Sequence, residues 1–517
     1  MNDNELNIKE SILVLDFGGQ YNQLIARRIR DLGVYAAVYS HKISIEKIKE
    51  INPKGIIFTG GPNSVFLEKS PHINKEIYEL NIPILGICYG AQLIAYDFGG
   101  KVVKSKVGEY GKTYVKINKS SKLLKNVNDM TETFMNHSDH IQKEPNGFEV
   151  IANSDTCISC IQNEEKNIYA IQWHPEVKHT IEGEKIFSNF IFDICKCSKN
   201  WSMDDFIEKQ VLEIKNKCNN KKVILALSGG IDSATVACLI SRAIGKNLYC
   251  VFVNHGLLRK DEEKEVEKVF NNNKLLDLNF IEVDAKERFL KKLENIIDPE
   301  KKRKIIGSEF IKVFEEEAKK IGDIQYLAQG TIYPDIIESG LNGSAIIKSH
   351  HNVGGLPKDL MFQKILEPLK FLFKDEVRKV ALKLNLPESI VYRQPFPGPG
   401  LAIRIMGDVN EEKLNIVKEA DYILREELEK AKLPNLSQYF ASLSNMKSVG
   451  VMGDYRTYDY AVVLRIVHTD DFMTANTVDV PYDILQKIMN RIVNEVKGVN
   501  RVFYDLTSKP PGTIEFE

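Results

Sequence analysis

The apolar run Val223-Ile224-Leu225-Ala226-Leu227 passes directly into Ser228-Gly229-Gly230-Ile231-Asp232-Ser233 and then into Ala234-Thr235-Val236-Ala237-Cys238-Leu239-Ile240. A buried strand, a small-residue turn and a helix in that order gather free backbone N–H groups and the positive end of a helix dipole at one point. Such a point holds phosphate. Gly229 and Gly230 let the backbone approach an anion, and the hydroxyls of Ser228 and Ser233 add uncharged donors. Asp232 would repel a bare phosphate, so it predicts a bridging Mg²⁺. No Gly-Lys-Ser/Thr follows, which sets the loop apart from the Walker pattern. Ser-Gly-Gly alone would suit an ordinary bend; the adjoining strand and the Asp-Ser pair favour the anion site.

A chain of 517 residues exceeds one core and, at about 150 residues per domain, predicts three domains. Seventy Lys and Arg against 71 Asp and Glu give no electrostatic case for nucleic acid or an anionic membrane as partner. No apolar run approaches the roughly 20 residues of a membrane span, and the polar Met1-Asn2-Asp3-Asn4-Glu5 is unlike a targeting peptide. Eight scattered cysteines fit a reducing cytoplasm better than a disulfide scaffold. Cys157-Ile-Ser-Cys160 has the spacing of half a zinc site, but no second Cys-x-x-Cys completes four ligands, so it reads as structural.

Residues 8–199 alternate short apolar strands, at Ser11–Leu15, Gly55–Phe58 and Ile82–Ile87, with helical stretches, which predicts a doubly wound parallel sheet. The third strand enters Gly86-Ile87-Cys88-Tyr89-Gly90, a nucleophile elbow carrying cysteine. A thiol at a helix start has its thiolate favoured by the dipole. A lone cysteine would belong to the core; the flanking glycines argue otherwise. The base it needs stands in Gln172-Trp173-His174-Pro175-Glu176, where extended backbone turns His174 and Glu176 to one side.

Gly-x-Cys-x-Gly followed by His-Pro-Glu resembles the class I glutamine amidotransferases. That resemblance implies Cys88 as nucleophile on the side-chain amide of glutamine, His174 as proton shuttle and Glu176 as its holder. It implies an oxyanion hole at Gly61, in Thr59-Gly60-Gly61-Pro62, and Tyr89. It also places Gln92 and Asn136, Ser138 and Asp139 around bound glutamine, with glutamate and ammonia as products.

The linker falls near residue 200. Residues 200–392 form a second doubly wound unit, whose ligands belong at the carboxyl ends of its strands. Beside Ser228, Gly229, Gly230, Ile231, Asp232, Ser233 and Ala234, this assigns Val253 and Gly330 to ATP. Lys348, His350 and His351, in Ile347-Lys348-Ser349-His350-His351-Asn352-Val353-Gly354-Gly355, sit in a glycine-bearing loop suited to close over the nucleotide. A solvated loop is the competing reading. The Ser228 loop resembles that of the ATP pyrophosphatases, which adenylate an oxygen of their substrate.

Arg393-Gln394-Pro395-Phe396-Pro397-Gly398-Pro399-Gly400 cannot be helix and opens a third region, 393–517, a small α+β module. This segment, the tail Ser508–Glu515 and the order of all three regions resemble the glutamine-hydrolysing GMP synthetase family. The resemblance implies adenylation of xanthosine monophosphate (XMP) by ATP with Mg²⁺, amination to GMP by ammonia from glutamine, and a homodimer formed through the third module. Arg303, Asp454, Lys509 and Glu515 match the family's XMP contacts, and Asn254 stands where its pattern has aspartate. Competing readings are an amidotransferase making NAD, a tRNA-modifying protein with a pyrophosphatase loop, and a glutamine sensor. The tail, the balanced charge and the presence of both chemistries argue against them in turn.

Overall fold

The structure is a computed structural model that describes residues 8, 10–271, 276–341, 364–469 and 474–517. Lys348, His350 and His351 lie outside the described residues. The chain divides into two compact units, one reaching to Lys209 and also holding the helical segment from Pro334, the other comprising Gln210–Tyr333 and the described residues from Lys364 onward.

In unit 1 the elements are β1 (Ser11–Asp16), α1 (Asn22–Asp31), β2 (Tyr35–Ser40), α2 (Ile45–Ile51), β3 (Gly55–Phe58), β4 (Ile84–Ile87), α3 (Tyr89–Asp97), β5 (Lys101–Ile117), β6 (Met130–Lys143), β7 (Glu149–Asn153), β8 (Ile158–Asn163), β9 (Ile168–Ile171) and α4 (Gly183–Ser188). They build one sheet in the order β2-β1-β3-β4-β9-β8-β6-β5-β7. The first five of that order are mutually parallel. Every residue of β1, β3, β4 and β9 is buried, which is why these strands are continuously apolar. The remaining strands are antiparallel, a half of the sheet that the apolar runs did not announce. On β6 burial alternates, and the inward positions include Thr131, Thr133, His137 and Asp139. Polar residues at core-facing positions erase the hydrophobic period from which a strand is read.

Unit 2 takes most of α5 (Met203–Cys218), followed by β10 (Lys222–Ala226), α6 (Ile231–Ile244), β11 (Leu248–Asn254), α7 (Glu262–Phe270), β12 (Asn279–Asp284), α8 (Lys286–Leu293), α9 (Pro299–Ile321) and β13 (Ile324–Ala328). After α10 (Tyr333–Leu341) come β14 (Lys364–Leu366), α11 (Lys374–Lys383), α12 (Glu388–Val391), α13 (Glu411–Ala431), β15 (Gln438–Met452), β16 (Tyr455–His468), β17 (Asn476–Thr477), α14 (Tyr482–Glu495) and β18 (Val499–Tyr504). A parallel sheet runs β12-β11-β10-β13-β14, and a second sheet is built on the long β15–β16 hairpin. One hydrophobic cluster contains Val251, Val253 and Leu257 together with Ala402, Val417, Leu464 and Ile488. The segment after the proline-rich crossover therefore shares a core with the parallel sheet. The architecture is mixed α/β.

Candidate active site

In unit 1 the elbow is built by close approach. A side chain at Gly90 would stand 2.5 Å from the Phe58 carbonyl oxygen, and one at Gly86 would stand 2.6 Å from that of Gly90, so only glycine lets α3 start directly against β3. Between them Cys88 adopts φ +54°, a conformation that costs a non-glycine residue about 1–3 kcal/mol. Its N–H donates to the Ile171 carbonyl (2.9 Å), and the Gly90 N–H donates to that of Thr59 (3.1 Å). Strand ends β3, β4 and β9 thus hold the thiol in place.

His174 follows β9 and is buried with Glu176. Its Nδ1 lies 2.7 Å from Glu176 Oε1, and its Nε2 makes no hydrogen bond with a protein atom. Gly60 touches both sides of the pair: a Cβ there would lie 3.2 Å from His174 Cε1 and 3.7 Å from Cys88 Cβ. Burial alone would lower the His174 pKa. The charge of Glu176 and the neighbouring Cys88 outweigh it and push the value up to about 10. A buried thiol beside an imidazole oriented by a carboxylate is a set for nucleophilic attack and proton transfer.

Tyr21, beyond the glycines that end β1, meets the His174 ring edge-on at 5.2 Å. Burial first, and then the nearby Glu176 and Cys88, raise its pKa. Of the residues expected at the oxyanion and at glutamine, Gly61 packs so that a Cβ would touch the Tyr89 ring at 3.3 Å. The Tyr89 N–H belongs to the first turn of α3, where backbone N–H groups have no acceptor in the helix. The Gln92 amide donates to the Asp139 carbonyl (2.7 Å), and the Ser138 hydroxyl to Asp139 Oδ1 (3.3 Å). Strand alternation sends the buried Asp139 to the opposite face of β6 from Asn136 and Ser138. The Asn136 carbonyl lies 3.9 Å from Cys88 Sγ.

In unit 2 the glycine turn joins β10 to α6. Gly229 has φ +77°, and Gly230 precedes the helix in extended backbone. The Ser233 hydroxyl accepts from the Ser228 N–H (3.2 Å) and donates to the Gly230 carbonyl (3.1 Å), which also accepts from the Ala234 N–H (3.0 Å). Ser228 Oγ lies 3.0 Å from Ser233 Oγ and accepts from the Gly230 N–H at 3.3 Å. Gly330, at the end of β13, approaches so closely that a Cβ would lie 3.1 Å from Asp232 Cβ. Val253 is buried one residue before the end of β11. The loop is cross-linked by its own hydroxyls.

Two cations frame it. Lys374, at the start of α11, places Nζ 2.7 and 2.6 Å from the two oxygens of Asp232. Arg393 reaches the Gly229 carbonyl at 3.4 Å and is held by Glu262 at 3.1 Å. Asn254, at the aspartate position, accepts the Gly256 N–H through Oδ1 at 3.2 Å, a turn bond that an amide makes as well as a carboxylate.

The tail converges on α9. Arg303 donates to the Glu517 backbone carbonyl, and the buried Lys302 pairs with the Glu517 carboxylate. Glu515 accepts from Arg404 (3.1 and 2.9 Å) and from Gln438 (2.9 Å). The backbone of Lys509 pairs with Ala475. Asp454 stands apart, in the turn joining β15 to β16, whereas Gln438 begins β15. The fourteen residue steps from Gln438 to Met452, where β15 ends just before that turn, amount to about 46 Å of strand at ~3.3 Å each.

Comparison with known proteins bears on both units. Models of three families match: "Glutamine amidotransferase class-I" over residues 13–194, "NAD synthase" over 201–310 and "GMP synthase C terminal domain" over 426–516. A "GMP synthase [glutamine-hydrolyzing]" of Clostridium botulinum (strain Alaska E43 / Type E3) is 59% identical over 511 residues, covering 98% of this chain and 100% of the relative. Relatives of the same name from Finegoldia magna and Caldicellulosiruptor saccharolyticus are 57% and 56% identical, each over 98% of this chain and 99% of the relative. The chain belongs to the glutamine-hydrolysing GMP synthase family.

Within that family assignment, the structure brings Cys88, His174 and Glu176 together and gathers the glycine loop with Gly330. It brings Arg303 and Glu515 into one tail-binding region but leaves Asp454 distant. Sequence reasoning missed Gly60, Tyr21, Lys374 and Arg404. Tyr21 carried a signal, since it follows the carboxyl end of a buried strand, where α/β ligands bind. Lys374 is 142 positions from Asp232 and carried none.

Proposed function

We infer that the chain makes GMP from XMP, ATP and glutamine in two linked half-reactions. The observation that carries the first half is the His174–Glu176 pair set beside Cys88 on its positive-φ elbow. Cys88 Sγ attacks the amide carbon of glutamine, and His174 delivers a proton to the departing ammonia. Glu176 fixes the ring through Nδ1, leaving Nε2 toward the reacting side. Backbone N–H groups at Gly61 and Tyr89 receive the oxyanion. Gln92, Asn136 and Ser138 are proposed to line the substrate pocket, with Asp139 behind them on the other face of β6, accepting from Gln92 and Ser138. Water then releases glutamate from the thioester.

ATP is placed on Ser228–Ala234, with Val253 and Gly330 beside it. The hydroxyl-braced turn and the α6 N-terminus support phosphate there. Asp232, one carboxylate acting alongside the nucleotide's own oxygens, fits the ligand habit of Mg²⁺, which would neutralise phosphate charge when bound. Lys374 holds Asp232 and adds a cation at the same point. The C2 oxygen of XMP is adenylated with loss of pyrophosphate, because that oxygen is otherwise a poor leaving group, and ammonia then displaces AMP. Arg303, Lys509 and Glu515 are proposed to hold XMP, and Lys348, His350 and His351 to cover the nucleotide.

The domain scheme proposed is amidotransferase 8–199, a doubly wound ATP pyrophosphatase 200–392 and a dimerisation module 393–517. Exposed Val449, Val451, Tyr455 and Tyr458 on the β15–β16 hairpin support a homodimer through that module. Asp454, in the same hairpin, would serve the XMP site of a second copy. All eight cysteines are free, in keeping with a cytoplasmic enzyme, and among the described residues no helix is long and apolar enough to cross a membrane.

An assay of AMP, pyrophosphate, GMP and glutamate with each of XMP, ATP and glutamine omitted in turn tests the whole scheme. Pyrophosphate is expected only when XMP and ATP are both present. Release of pyrophosphate without XMP would refute the order of steps.

Glu176→Gln keeps the shape of the His174 partner and removes its charge. Glutamine-dependent synthesis is expected to fall by on the order of 10²-fold, with ammonium-driven synthesis unchanged. Because the folded His174 pKa is raised, its stabilising contribution is full below the ordinary histidine value and declines until pH exceeds about 10. The variant should flatten that decline in thermal unfolding between neutral pH and pH 10. An unaltered slope would mean that Glu176 is not what raises His174.

A further inference from the structure

We propose that Glu109, His137 and Cys157 form a binding site for a zinc-class divalent cation. One carboxylate oxygen, one imidazole nitrogen and one thiol sulfur lie within 4.8 Å of one another. The sheet makes the cluster. Glu109 on β5 and His137 on β6 are direct cross-strand partners, and Cys157 immediately precedes β8. No linear spacing announces it, and the partners of Cys157 come from across the sheet rather than from Cys160.

The distances suit one ion. Glu109 Oε2 is 3.1 Å from His137 Nε2 and 3.4 Å from Cys157 Sγ. Tetrahedral zinc, with bonds of about 2.0–2.3 Å, sets its ligands roughly 3.3–3.8 Å apart. A mixed N, O and S donor set selects a borderline cation and disfavours Mg²⁺ and Ca²⁺, which take oxygen.

The imidazole supplies an independent sign. His137 is 7% exposed; its Nε2 faces Glu109 Oε2 at 3.1 Å, and its Nδ1 makes no hydrogen bond with a protein atom. Both ring nitrogens are shut off from water, where an under-bonded polar group is costly, and a cation held between Nε2, Oε2 and the thiol would complete the bonding of the imidazole. The other Glu109 oxygen is already committed, accepting from Ser154 Oγ at 2.8 Å and from Thr156 Oγ1, which leaves Oε2 turned toward the cluster. Hydroxyls orienting a ligating carboxylate are the usual outer layer of a metal site. On binding, the S–H bond of Cys157 breaks, its proton leaves to solvent, and a sulfur–metal bond forms. The fourth position falls to water or to Ser154 Oγ, which lies 3.5 Å from the sulfur.

This site is separate from the thiol chemistry. His137 neighbours Asn136, whose carbonyl faces Cys88, so an ion there would brace β6 without touching a reacting atom.

The test uses the full chain with Cys88→Ala, which removes the other thiol–imidazole pair, titrated with Co²⁺ as the zinc probe. One equivalent should produce a thiolate-to-cobalt charge-transfer band with tetrahedral visible bands, both displaced by one equivalent of Zn²⁺. Adding Cys157→Ser should abolish the charge-transfer band, and Glu109→Gln should weaken Zn²⁺ binding by about 10- to 100-fold. In the unsubstituted chain, equimolar Zn²⁺ should protect Cys157, and not Cys160, from alkylation read by peptide mass spectrometry. No charge-transfer band, a band that survives Cys157→Ser, or equal labelling of Cys157 with and without Zn²⁺ would each overturn the site.

Discussion

Replacing Cys88 with alanine is expected to lower glutamine-dependent GMP formation by at least about 10⁴-fold while leaving the ammonium-driven rate within about twofold. The size follows from the chemistry. A carboxamide is a poor electrophile, and the covalent route disappears with the sulfur; the one hydroxyl in the elbow, that of Tyr89, is turned away and donates to the Pro71 carbonyl (2.6 Å). The selectivity follows from the fold. Cys88 sits on strand ends of unit 1, held by Ile171 and Thr59, and the glycine loop that takes ATP belongs to unit 2. Alanine also relieves little of the strain at φ +54°, since it carries the same Cβ. Parallel assays with glutamine and with ammonium chloride decide the matter, with thermal unfolding to show that the variant is folded. Equal loss with both donors would mean that the two chemistries are not separable.

The reciprocal experiment is Lys374→Ala. GMP formation should fall by about 10²- to 10³-fold with either nitrogen donor, the range found when one preorganised charge is removed from a transition state. Glutamine hydrolysis measured alone should persist. Lys374 contacts both oxygens of Asp232, so its loss leaves a carboxylate uncompensated where phosphate must enter. Coulomb repulsion then acts on ATP binding and on the departing pyrophosphate alike. Because Lys374 and Asp232 are both partly exposed, the effect should appear in catalysis more than in folding. Pyrophosphate release is the direct readout. A normal rate of release in the variant would remove Lys374 from the ATP site. Substitution by arginine should restore only part of the loss, since a planar fork does not replace a compact ammonium.

The triad and the glycine loop were legible because each chemistry needs its residues close together in the chain. An elbow requires glycine two positions either side of the nucleophile, and the structure shows why: Gly86 and Gly90 leave no room for a side chain against Gly90 and Phe58. His174 and Glu176, two apart in extended backbone, had to share a face. The parallel strands were legible for a related reason, since burial on both sides forces an unbroken apolar run. These features are local, and a one-dimensional text records them.

What only the tertiary structure decided lies between segments far apart in the chain. The antiparallel half of the first sheet hides behind polar residues at core-facing positions on β6. Lys374 at the start of a helix reaches Asp232, Tyr21 in a connecting segment reaches His174, and Glu109, His137 and Cys157 converge through strand order and register. Residues after the proline-rich crossover join the core of the preceding sheet, although that crossover marks a change of local structure. Close packing brings such partners together, and its outcome depends on every side chain in the layer at once.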